Sequence, residues 1–267
     1  MQQLNLITDK TKEEIAIEFI RKHEPPEGYY LGFSGGKDSV VMYDLTLKSG
    51  AKFEAHYSAT GIDPPELVQF IRDEYPSVTW HRPMMKMPRK FPEWKGTRSF
   101  FEMLQVKGYP SRRSRWCCDQ LKKNPPKNVP LKNYLLGMRA EESNARALRP
   151  NPDYFKKRRE WIYKPIFDWL EWEIWEYIES NNLPYCSLYD EGFDRLGCVV
   201  CPFICHGVRG KLKMSMKRWP KIYAAFEKAM KKLFDNYLCV VNPRSGATNY
   251  RRETNFEEFL DNWYWGK

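Results

Sequence analysis

The sequence lacks any apolar run that approaches the ~20 residues needed to span a membrane, and its polar residues 1–12 contain no signal-peptide core. We therefore expect a cytoplasmic protein with no membrane partner. Histidine is scarce, at four residues, and no internal repeat or low-complexity segment occurs. Seven cysteines would stay reduced in the cytoplasm, so clustered cysteines favour a metal site or catalysis over disulfides.

The composition is that of a basic globular protein. The 267 residues are 42% hydrophobic and 15% aromatic, and 44 Lys and Arg against 34 Asp and Glu give a net charge of +10. This excess suits a polyanionic partner, either the phosphates of a nucleotide or a nucleic acid. We predict a nucleotide-binding α/β domain over residues 1–185 and a cysteine-containing, mainly helical extension over residues 186–267. A homo-oligomer is compatible with this organisation.

A glycine-rich stretch joins a predicted strand to a predicted helix. The apolar residues 29–33 predict a buried strand, and residues 38–47 predict the helix that follows. The first turn of a helix concentrates unpaired N–H groups and the positive end of the helix dipole, which favour a phosphate or sulfate. Glycines let the backbone approach that anion, and polar side chains add donors or charge; the stretch supplies Ser34, Gly35, Gly36, Lys37 and Ser39.

The loop sequence Ser-Gly-Gly-Lys-Asp-Ser, residues 34–39, is neither a Walker A loop nor a dinucleotide-binding fingerprint, because its glycine spacing differs from both. It resembles the PP-loop of ATP pyrophosphatases, which split ATP into AMP and pyrophosphate while adenylating a substrate. The resemblance implies that the loop holds pyrophosphate. It also implies catalytic roles for Lys37, which neutralises developing charge, and for Asp38, which positions Mg²⁺.

Strand and helix patterns alternate after this loop, over residues 53–58, 63–74, 78–81 and 134–139. The alternation predicts an α/β fold with a doubly wound, mostly parallel sheet. Polar residues 143–159 include two prolines and predict a loop, and residues 211–233 predict a basic helical segment with one apolar face. We expect polar surface roles for the four histidines, His23, His56, His81 and His206.

Further candidate ligand contacts follow two of the predicted strands. Ligands of open α/β sheets bind where strands end, so Thr60, Gly61 and Asp63 should line an adenosine pocket. Arg139 comes at the end of the strand at residues 134–139, and we expect it to contact a phosphate or sulfate, as we do Arg195. A surface salt bridge is the alternative for both arginines.

Two pairs of cysteines have spacings typical of metal ligands. Cys117 and Cys118 are adjacent, and Cys198 and Cys201 form a C-x-x-C pair. Four thiolates bind either a [4Fe–4S] cluster or structural zinc. Because zinc sites usually take both pairs as C-x₂₋₄-C, the adjacent pair favours iron and sulfur, with zinc and free thiols as the alternatives. Nearby arginines would lower the pKa values of these thiols and offset the negative charge of a cluster.

Five segments resemble, in order, the phosphoadenosine phosphosulfate reductase family: the glycine loop and residues 115–122, 139–143, 165–169 and 197–202. The likeness covers residues 29–203. Cluster-binding members of this family, the assimilatory adenylyl-sulfate reductases, carry a [4Fe–4S] cluster on a Cys-Cys plus C-x-x-C pattern. The resemblance therefore implies that Cys117, Cys118, Cys198 and Cys201 are cluster ligands.

The sequence departs from the reductases at two points. Sulfonucleotide reductases attack the sulfur of their substrate with a cysteine in a C-terminal Glu-Cys-Gly context, and that tripeptide is absent. Cys239 lies instead in an apolar run that predicts a buried strand. Reductases also tend to carry a degenerate glycine loop, because their substrate has no β- and γ-phosphates to hold, whereas the loop at residues 34–39 is intact.

These features support three hypotheses. The first is an ATP pyrophosphatase that adenylates a nucleic acid, tRNA or DNA, for sulfur transfer from a separate donor; superfamily branches that modify DNA or tRNA with sulfur likewise combine an intact loop with four cysteines. The second is a sulfonucleotide reductase that releases sulfite, with Cys186 or Cys205 as the nucleophile and thioredoxin as the reductant. The third is a subunit that binds nucleotide and nucleic acid without turnover. The intact loop places the first hypothesis ahead.

Overall fold

The computed structural model describes residues 4–5, 10–83, 99–205, 209–238 and 255–265. Within these ranges, no helix is both long enough and apolar enough to cross a membrane. The chain forms two compact units, and neither is a continuous stretch of sequence. The first comprises residues 1–57, 65–81 and 128–196, and the second comprises residues 58–64, 82–127 and 197–267. These bounds differ from the expected boundary at residue 185, and the division into domains 1–185 and 186–267 stays a prediction.

The strands, in chain order, are β1 (Leu4–Asn5), β2 (Lys10–Thr11), β3 (Tyr29–Gly32), β4 (Phe53–Ser58), β5 (Thr79–His81), β6 (Asn133–Leu136), β7 (Asp153–Phe155) and β8 (Glu160–Tyr163). The first two form a small antiparallel sheet. The other six form one sheet in the order β5-β4-β3-β6-β8-β7. Strands β4, β3, β6 and β8 run parallel, and β7 is antiparallel to β8. The expected α/β fold with a mostly parallel sheet is confirmed.

The helices, in chain order, are α1 (Lys12–Lys22), α2 (Lys37–Ser49), α3 (Pro65–Glu74), α4 (Phe100–Lys107), α5 (Trp116–Cys118), α6 (Asn144–Ala147), α7 (Glu171–Ser180), α8 (Pro202–Cys205), α9 (Arg209–Arg218), α10 (Pro220–Leu233) and α11 (Phe256–Trp265). A π-helical turn over residues 119–123 continues α5. A short 3₁₀ turn, Ser187–Tyr189, follows α7.

Helices α1, α2 and α7 pack together in the first unit. Thr11 caps α1 by accepting a hydrogen bond from the Glu14 amide, and the Glu14 carboxylate accepts one from the Thr11 amide. The Tyr29 hydroxyl donates to the Ile20 carbonyl at 2.9 Å and so ties β3 to α1. The apolar run of β3 is buried because an inner strand of a parallel sheet has no exposed face. The core of the unit therefore forms around β3 and the start of α2.

The second unit is mainly helical. Rings of Phe100 on α4 and Phe226 on α10 stack at 6.2 Å, and Phe226 packs against Trp263 on α11 at 4.6 Å. The Trp263 indole N–H donates to the Pro110 carbonyl at 2.7 Å, which fixes α11 to the segment after α4. The basic segment at residues 211–233 is two helices rather than one, because Pro220 cannot donate a helical hydrogen bond and begins α10.

Two expectations are wrong. Residues 143–159 are not a loop throughout, since they contain α6 and the strand β7, which pairs with β8. The three-residue strand shows no alternation long enough to be recognised among charged neighbours. His56 is not at the surface but 3% exposed on the inner strand β4, where its ring stacks on Tyr30 at 4.2 Å. Two other residues with an assigned role, His206 and Cys239, lie outside the described residues.

Candidate nucleotide site and cysteine group

The glycine loop connects β3 to α2, as expected. Gly36 is the N-cap of α2 and has no side chain to cap the helix, so the first amides of the helix point out of its N-terminus. Ser39 braces the loop from inside, because its hydroxyl donates to the Gly36 carbonyl at 2.7 Å and accepts from the Ser34 amide at 3.2 Å. Ser34 itself is exposed, and its hydroxyl donates to the Ser39 hydroxyl at 3.2 Å. The loop therefore presents backbone donors at the positive end of a helix dipole, which suits an anion.

Gly35 is required by both its conformation and its surroundings. Its φ of +72° lies in the left-handed region, which favours glycine. A Cβ atom built on it would lie 2.7 Å from side-chain carbons of Leu67 and Ile71 on α3. The loop thus keeps its shape through close packing on α3 as well as through backbone freedom.

The ammonium group of Lys37 is buried among protein groups. Its Nζ atom donates to the Asp194 carbonyl at 3.0 Å and lies 3.3 Å from a carboxylate oxygen of Glu171. It also lies over the rings of Tyr189, at 5.3 Å, and Trp175, at 6.0 Å. These neighbours hold a charged lysine at the start of α2, where the charge adds to the helix dipole.

Asp38, in the first turn of α2, and Arg139 form an ion pair. The Arg139 Nε atom donates to Asp38 Oδ1 at 2.6 Å, and its Nη1 atom donates to Glu141 Oε2 at 2.5 Å. Arg139 is 3% exposed, so its guanidinium is desolvated between two carboxylates. The same Glu141 oxygen accepts the Glu171 amide at 2.8 Å, which links the 3₁₀ turn after β6, Ala140–Glu142, to the start of α7. Arg139 is therefore placed to hold Asp38, and the structure brings both predicted residues together.

Further arginines surround Asp38 in the first unit. The pKa of Arg146 is lowered by burial of its guanidinium and next by the charge of Arg195, while Asp38 acts in the opposite direction. Arg146 also pairs with Glu142 one helical turn earlier. A site in which several guanidinium groups repel one another gains from binding a polyanion. Arg195, expected as a phosphate contact, lies exposed within this group.

Sequence reasoning missed the groups that contact Lys37. The Tyr189 hydroxyl accepts a hydrogen bond from the Lys37 amide at 2.9 Å across 152 residues of chain, and Asp194 and Glu171 reach its ammonium. Residues 188–202 have no regular hydrophobic period and are rich in turn residues. Nothing in their local pattern indicates where they dock, because that depends on long-range packing.

In the second unit, the predicted adenosine contacts form a loop tied to one cysteine. Thr60 donates its amide to Asp63 Oδ2 at 2.8 Å, and Cys198 Sγ lies 3.6 Å from the Thr60 hydroxyl and 3.8 Å from Asp63 Oδ1. The Val199 amide donates to the Ile62 carbonyl at 2.8 Å. Gly61 is exposed at the tip with φ of +79°. The assignment of Thr60, Gly61 and Asp63 to adenosine stays a prediction.

The four paired cysteines all lie in the second unit and influence one another electrostatically. The pKa of Cys117 is raised by its hydrogen bond to Cys118, by burial, and by the charges of Cys118, Cys198 and Cys201. The pKa of Cys118 is lowered to about 5, chiefly by the hydrogen bond from Cys117 and then by Arg115, whose Nη2 lies 3.6 Å from the sulfur. Burial raises the pKa of Cys198 to about 11.

The kinds of side chain in this cysteine group are those that bind a metal ion or an iron–sulfur cluster. Four thiols and nearby cations are the chemistry of a cluster or zinc site, and the pKa of Lys122 is raised chiefly by the charge of Cys198. Among the described residues, however, no group of three or more His, Cys, Asp or Glu side chains has the geometry of a metal shell. The expected [4Fe–4S] cluster therefore stays a hypothesis that rests on donor chemistry.

The cysteines considered as reductase nucleophiles differ from these four. Cys186 is 1% exposed, and burial raises the pKa of its thiol, so it is a poor nucleophile in this conformation. Cys205 ends α8, and its side chain lies outside the described part of the chain, as does Cys239. In this conformation, Cys186 therefore does not replace the nucleophilic cysteine of the reductases.

Comparisons with known proteins agree on one family for this chain. A family model, the phosphoadenosine phosphosulfate reductase domain, matches residues 28–203. An adenosine 5′-phosphosulfate reductase of Neisseria meningitidis serogroup B is 34% identical over 123 residues, which is 45% of this chain and 47% of that protein. A probable FAD synthase of Caenorhabditis elegans is 26% identical over 205 residues, which is 73% of this chain and 34% of that protein. The chain thus spans less than half the length of either relative.

A solved structure supports the fold. The phosphoadenylyl-sulfate reductase of Candida auris, crystallised as a phosphate complex, superimposes with a TM-score of 0.53 at 18% identity, covering 72% of this chain and 90% of that one. At this level of identity the likeness concerns architecture alone. The resemblance found in the sequence, including its extent over residues 29–203, is confirmed by the family match.

Proposed function

The chain belongs to the phosphoadenosine phosphosulfate reductase domain family, and we propose that it is a PP-loop enzyme that binds ATP and adenylates a substrate with release of pyrophosphate. The observation that carries this proposal is the intact loop at the start of α2, where the N-cap Gly36 has no capping side chain and the ammonium of Lys37 is buried. A relative that is named a probable FAD synthase, a name that implies adenylyl transfer, is consistent with a substrate other than a sulfonucleotide.

In the proposed reaction, an oxygen of the substrate attacks the α-phosphorus of ATP. A new oxygen–phosphorus bond forms, the bond between the α-phosphorus and the bridging oxygen breaks, and that electron pair leaves with pyrophosphate. The proton of the attacking group passes to solvent. The amides of α2 and Lys37 would hold the leaving pyrophosphate, whose charge grows in the transition state. Asp38, held by Arg139, would bind the Mg²⁺ that accompanies the phosphates.

Binding of ATP must rearrange contacts at Lys37. Its ammonium donates to the Asp194 carbonyl, and its amide donates to the Tyr189 hydroxyl. A phosphate oxygen is a stronger acceptor than either because it is charged. We propose that nucleotide phosphates replace these two acceptors, so that the turn at residues 187–194 shifts when the nucleotide binds.

The cysteine group completes the proposal. Cys117, Cys118, Cys198 and Cys201 would hold a [4Fe–4S] cluster, with Arg115 and Lys122 offsetting its negative charge. When bound, the cluster would supply electron transfer or a site for sulfur during modification of the adenylated substrate. A nucleic acid, tRNA or DNA, is the proposed acceptor, and the charge of +10 is consistent with that class.

A second candidate is a sulfonucleotide reductase that releases sulfite with a thiol reductant such as thioredoxin. The 34% identity to a protein named adenosine 5′-phosphosulfate reductase favours it. The burial of Cys186 counts against one of the nucleophiles it requires. A binding subunit without turnover is the third candidate.

The deciding experiment follows ATP labelled at the α- or γ-phosphate with anaerobically purified protein, Mg²⁺ and panels of tRNA and DNA. Equal release of AMP and pyrophosphate, reduced on the order of 100-fold or more in Lys37→Ala, would support adenylation. Lys52→Ala is the matched control, because Lys52 is an exposed lysine of the same unit. Sulfite release from adenylyl sulfate without ATP cleavage would favour the reductase, and nucleotide binding without either product would favour the binding subunit.

A further inference from the structure

The two end strands of the sheet, β7 and β8, form a hairpin that the proposed chemistry does not use. Three aromatic side chains on it are unusually exposed: Tyr154 at 42%, Phe155 at 43% and Trp161 at 41%. Four consecutive cations occupy its turn, Lys156, Lys157, Arg158 and Arg159, and all are exposed. We call residues 153–163 the aromatic-basic hairpin.

Two of the exposed rings belong to a stack that continues into the protein core. Tyr154 and Trp161 are directly opposite each other in the β7–β8 register, with ring centroids 4.9 Å apart. Trp161 stacks at 6.4 Å and 28° on Tyr163, which is buried and packs edge-on against Tyr29 at 5.6 Å. A ring anchored in this way loses little conformational freedom when a flat ligand stacks on it.

The cations of the turn are not neutralised by the protein. Within the described ranges, no carboxylate lies within ion-pair distance of any of the four, whereas the neighbouring Arg149 pairs with Asp153 at 3.5 Å. Arg159 has φ of +55°, a conformation in which glycine is favoured over a branched side chain. A cation therefore occupies a turn position where a glycine would fit with less strain.

Protection of the sheet edge explains only part of this pattern. Because β7 is an end strand, flanking charges would discourage pairing with another chain. Charged residues such as lysine or arginine are enough for that role. Three large aromatic rings, each about two-fifths exposed, instead increase the risk that the protein associates with other molecules. The combination of anchored rings and unpaired cations needs a ligand that has both flat apolar faces and negative charge.

We propose that the aromatic-basic hairpin binds a single-stranded segment of nucleic acid, with bases stacked on Tyr154 and Trp161 and phosphates on the cations of the turn. Single strands have accessible base faces, whereas a duplex hides them, so the rings select single strands or loops. A membrane surface is disfavoured because the turn itself holds only charged residues and no apolar side chain to insert. This inference rests on the proposed function, in which a nucleic acid is the acceptor of the adenylyl group. It adds the surface of the protein that binds that nucleic acid.

The test measures fluorescence anisotropy of a labelled 20-nucleotide single strand titrated with the full chain, without ATP, over a series of salt concentrations. The same oligonucleotide as a duplex and vesicles containing anionic lipid are run in parallel. We expect the single strand to bind more tightly than the duplex. Replacing the turn cations, as Lys156→Ala, Lys157→Ala, Arg158→Ala and Arg159→Gly together, should reduce the slope of log K against log salt by up to about 3, since each phosphate contact contributes about 0.7.

Removing a stacking ring should weaken binding without changing the salt slope. Trp161→Leu is expected to lower affinity by roughly 5- to 100-fold, and Trp161→Phe should recover part of it, because stacking needs a ring and not a particular side chain. Thermal melting of each variant checks that it is folded. Tyr154→Leu gives a second measurement at the opposite position, should Trp161→Leu fail to fold.

A double variant, Lys52→Ala with Arg72→Ala, is the control, because both are exposed cations of the same unit and Arg72 lies over Trp80 on β5, at the opposite end of the sheet from β7. An equal loss of binding in this control and in the hairpin variants would overturn the proposal, as would absence of single-strand binding or hairpin-dependent binding to vesicles. Because ATP is absent from the assay, failure of ATP cleavage leaves these results unchanged. The failure of each proposal is therefore distinguishable.

Discussion

The hydroxyl of Tyr189 accepts a hydrogen bond from the backbone amide of Lys37 at 2.9 Å, at the first residue of α2. A side chain 152 positions away in sequence thus occupies a donor that the glycine loop would offer to a phosphate. The ring of the same tyrosine lies 5.3 Å from the Lys37 ammonium. Tyr189 consequently contacts both of the groups that Lys37 contributes to the loop.

Tyr189→Phe should strengthen binding of pyrophosphate, because it removes the hydroxyl that competes for the Lys37 amide and keeps the ring beside the ammonium. A gain of about 1 kcal/mol, roughly fivefold in affinity, is expected from one neutral hydrogen bond. Isothermal titration calorimetry with pyrophosphate measures it. Tyr185→Phe is the control, since that hydroxyl donates to Asp190 instead. Weaker binding by Tyr189→Phe would mean that the hydroxyl assists the ligand.

Gly35→Ala should destabilise the protein more than Gly50→Ala does. Both glycines have φ of +72°, so both substitutions carry the same backbone penalty of about 1–2 kcal/mol. A Cβ at Gly35 meets Leu67 and Ile71 at 2.7 Å, whereas none of the described atoms lies within 4 Å of a Cβ at Gly50. The clash should add about 1–3 kcal/mol, measured by urea unfolding. Equal losses of stability in the two variants would show that α3 moves away from the new methyl group without a measurable energy penalty.

Arg139→Met should lower the free energy of unfolding by about 1–3 kcal/mol, because it removes the buried counter-charge of Asp38 and Glu141, whose carboxylates are 24% and 43% exposed and keep part of their hydration. Arg72→Met, at an exposed arginine over Trp80, should cost less than about 1 kcal/mol. Adding Asp38→Asn to Arg139→Met should recover part of the loss, since the two residues are coupled. Additive losses in denaturant unfolding would contradict the ion pair.

His56 should make stability depend on pH. Burial, and next the charge of His81, lower the pKa of His56 to about 4, and its side chain is 2% exposed. The unfolded chain therefore takes up the proton more readily than the folded chain. Stability is fully present above about pH 6.5 and decreases as the pH falls towards 4, by up to about 3 kcal/mol for a shift of this size.

The groups that face His56 are the Tyr30 ring, His81 at 3.0 Å and Glu54 at 3.5 Å. His56→Phe keeps a ring against Tyr30 and should flatten the dependence between pH 4 and 6.5, as followed by urea unfolding at several pH values. His23→Gln, a half-buried histidine on another element, should leave it unchanged. An unchanged slope in His56→Phe would assign the dependence to other groups.

Anaerobically purified protein should contain about four iron and four sulfide ions per chain, as expected for one [4Fe–4S] cluster on four cysteines. Cys118→Ser and Cys198→Ser should lose them, while Cys186→Ser should keep them, because Cys186 lies in the other unit. Metal analysis and visible absorption distinguish the outcomes. If the analysis finds one zinc ion per chain instead, the four cysteines form a structural zinc site. If it finds no metal, the thiols are free.

Local features of this fold could be predicted from the sequence. The cap of α1 at Thr11, the strand over Phe53–Ser58 and the glycine loop at the start of α2 depend on neighbours within a few residues. The adjacent and C-x-x-C cysteines could also be grouped, because their spacing is itself the signal. Each of these patterns reflects short-range geometry.

Long-range features could not be predicted. The contacts of Tyr189 and Asp194 with Lys37 depend on where an irregular segment docks. The strand β7 is only three residues long, too short to show an alternating pattern, and it forms by pairing with β8. The rings of Tyr154 and Trp161 share a surface only because β7 pairs with β8, and nothing local in the sequence indicates that pairing.

The chain passes between its two compact units at residues 57/58, 64/65, 81/82, 127/128 and 196/197. A single recombination event exchanges one contiguous segment, so no such event transfers the cysteine-bearing unit intact to another scaffold.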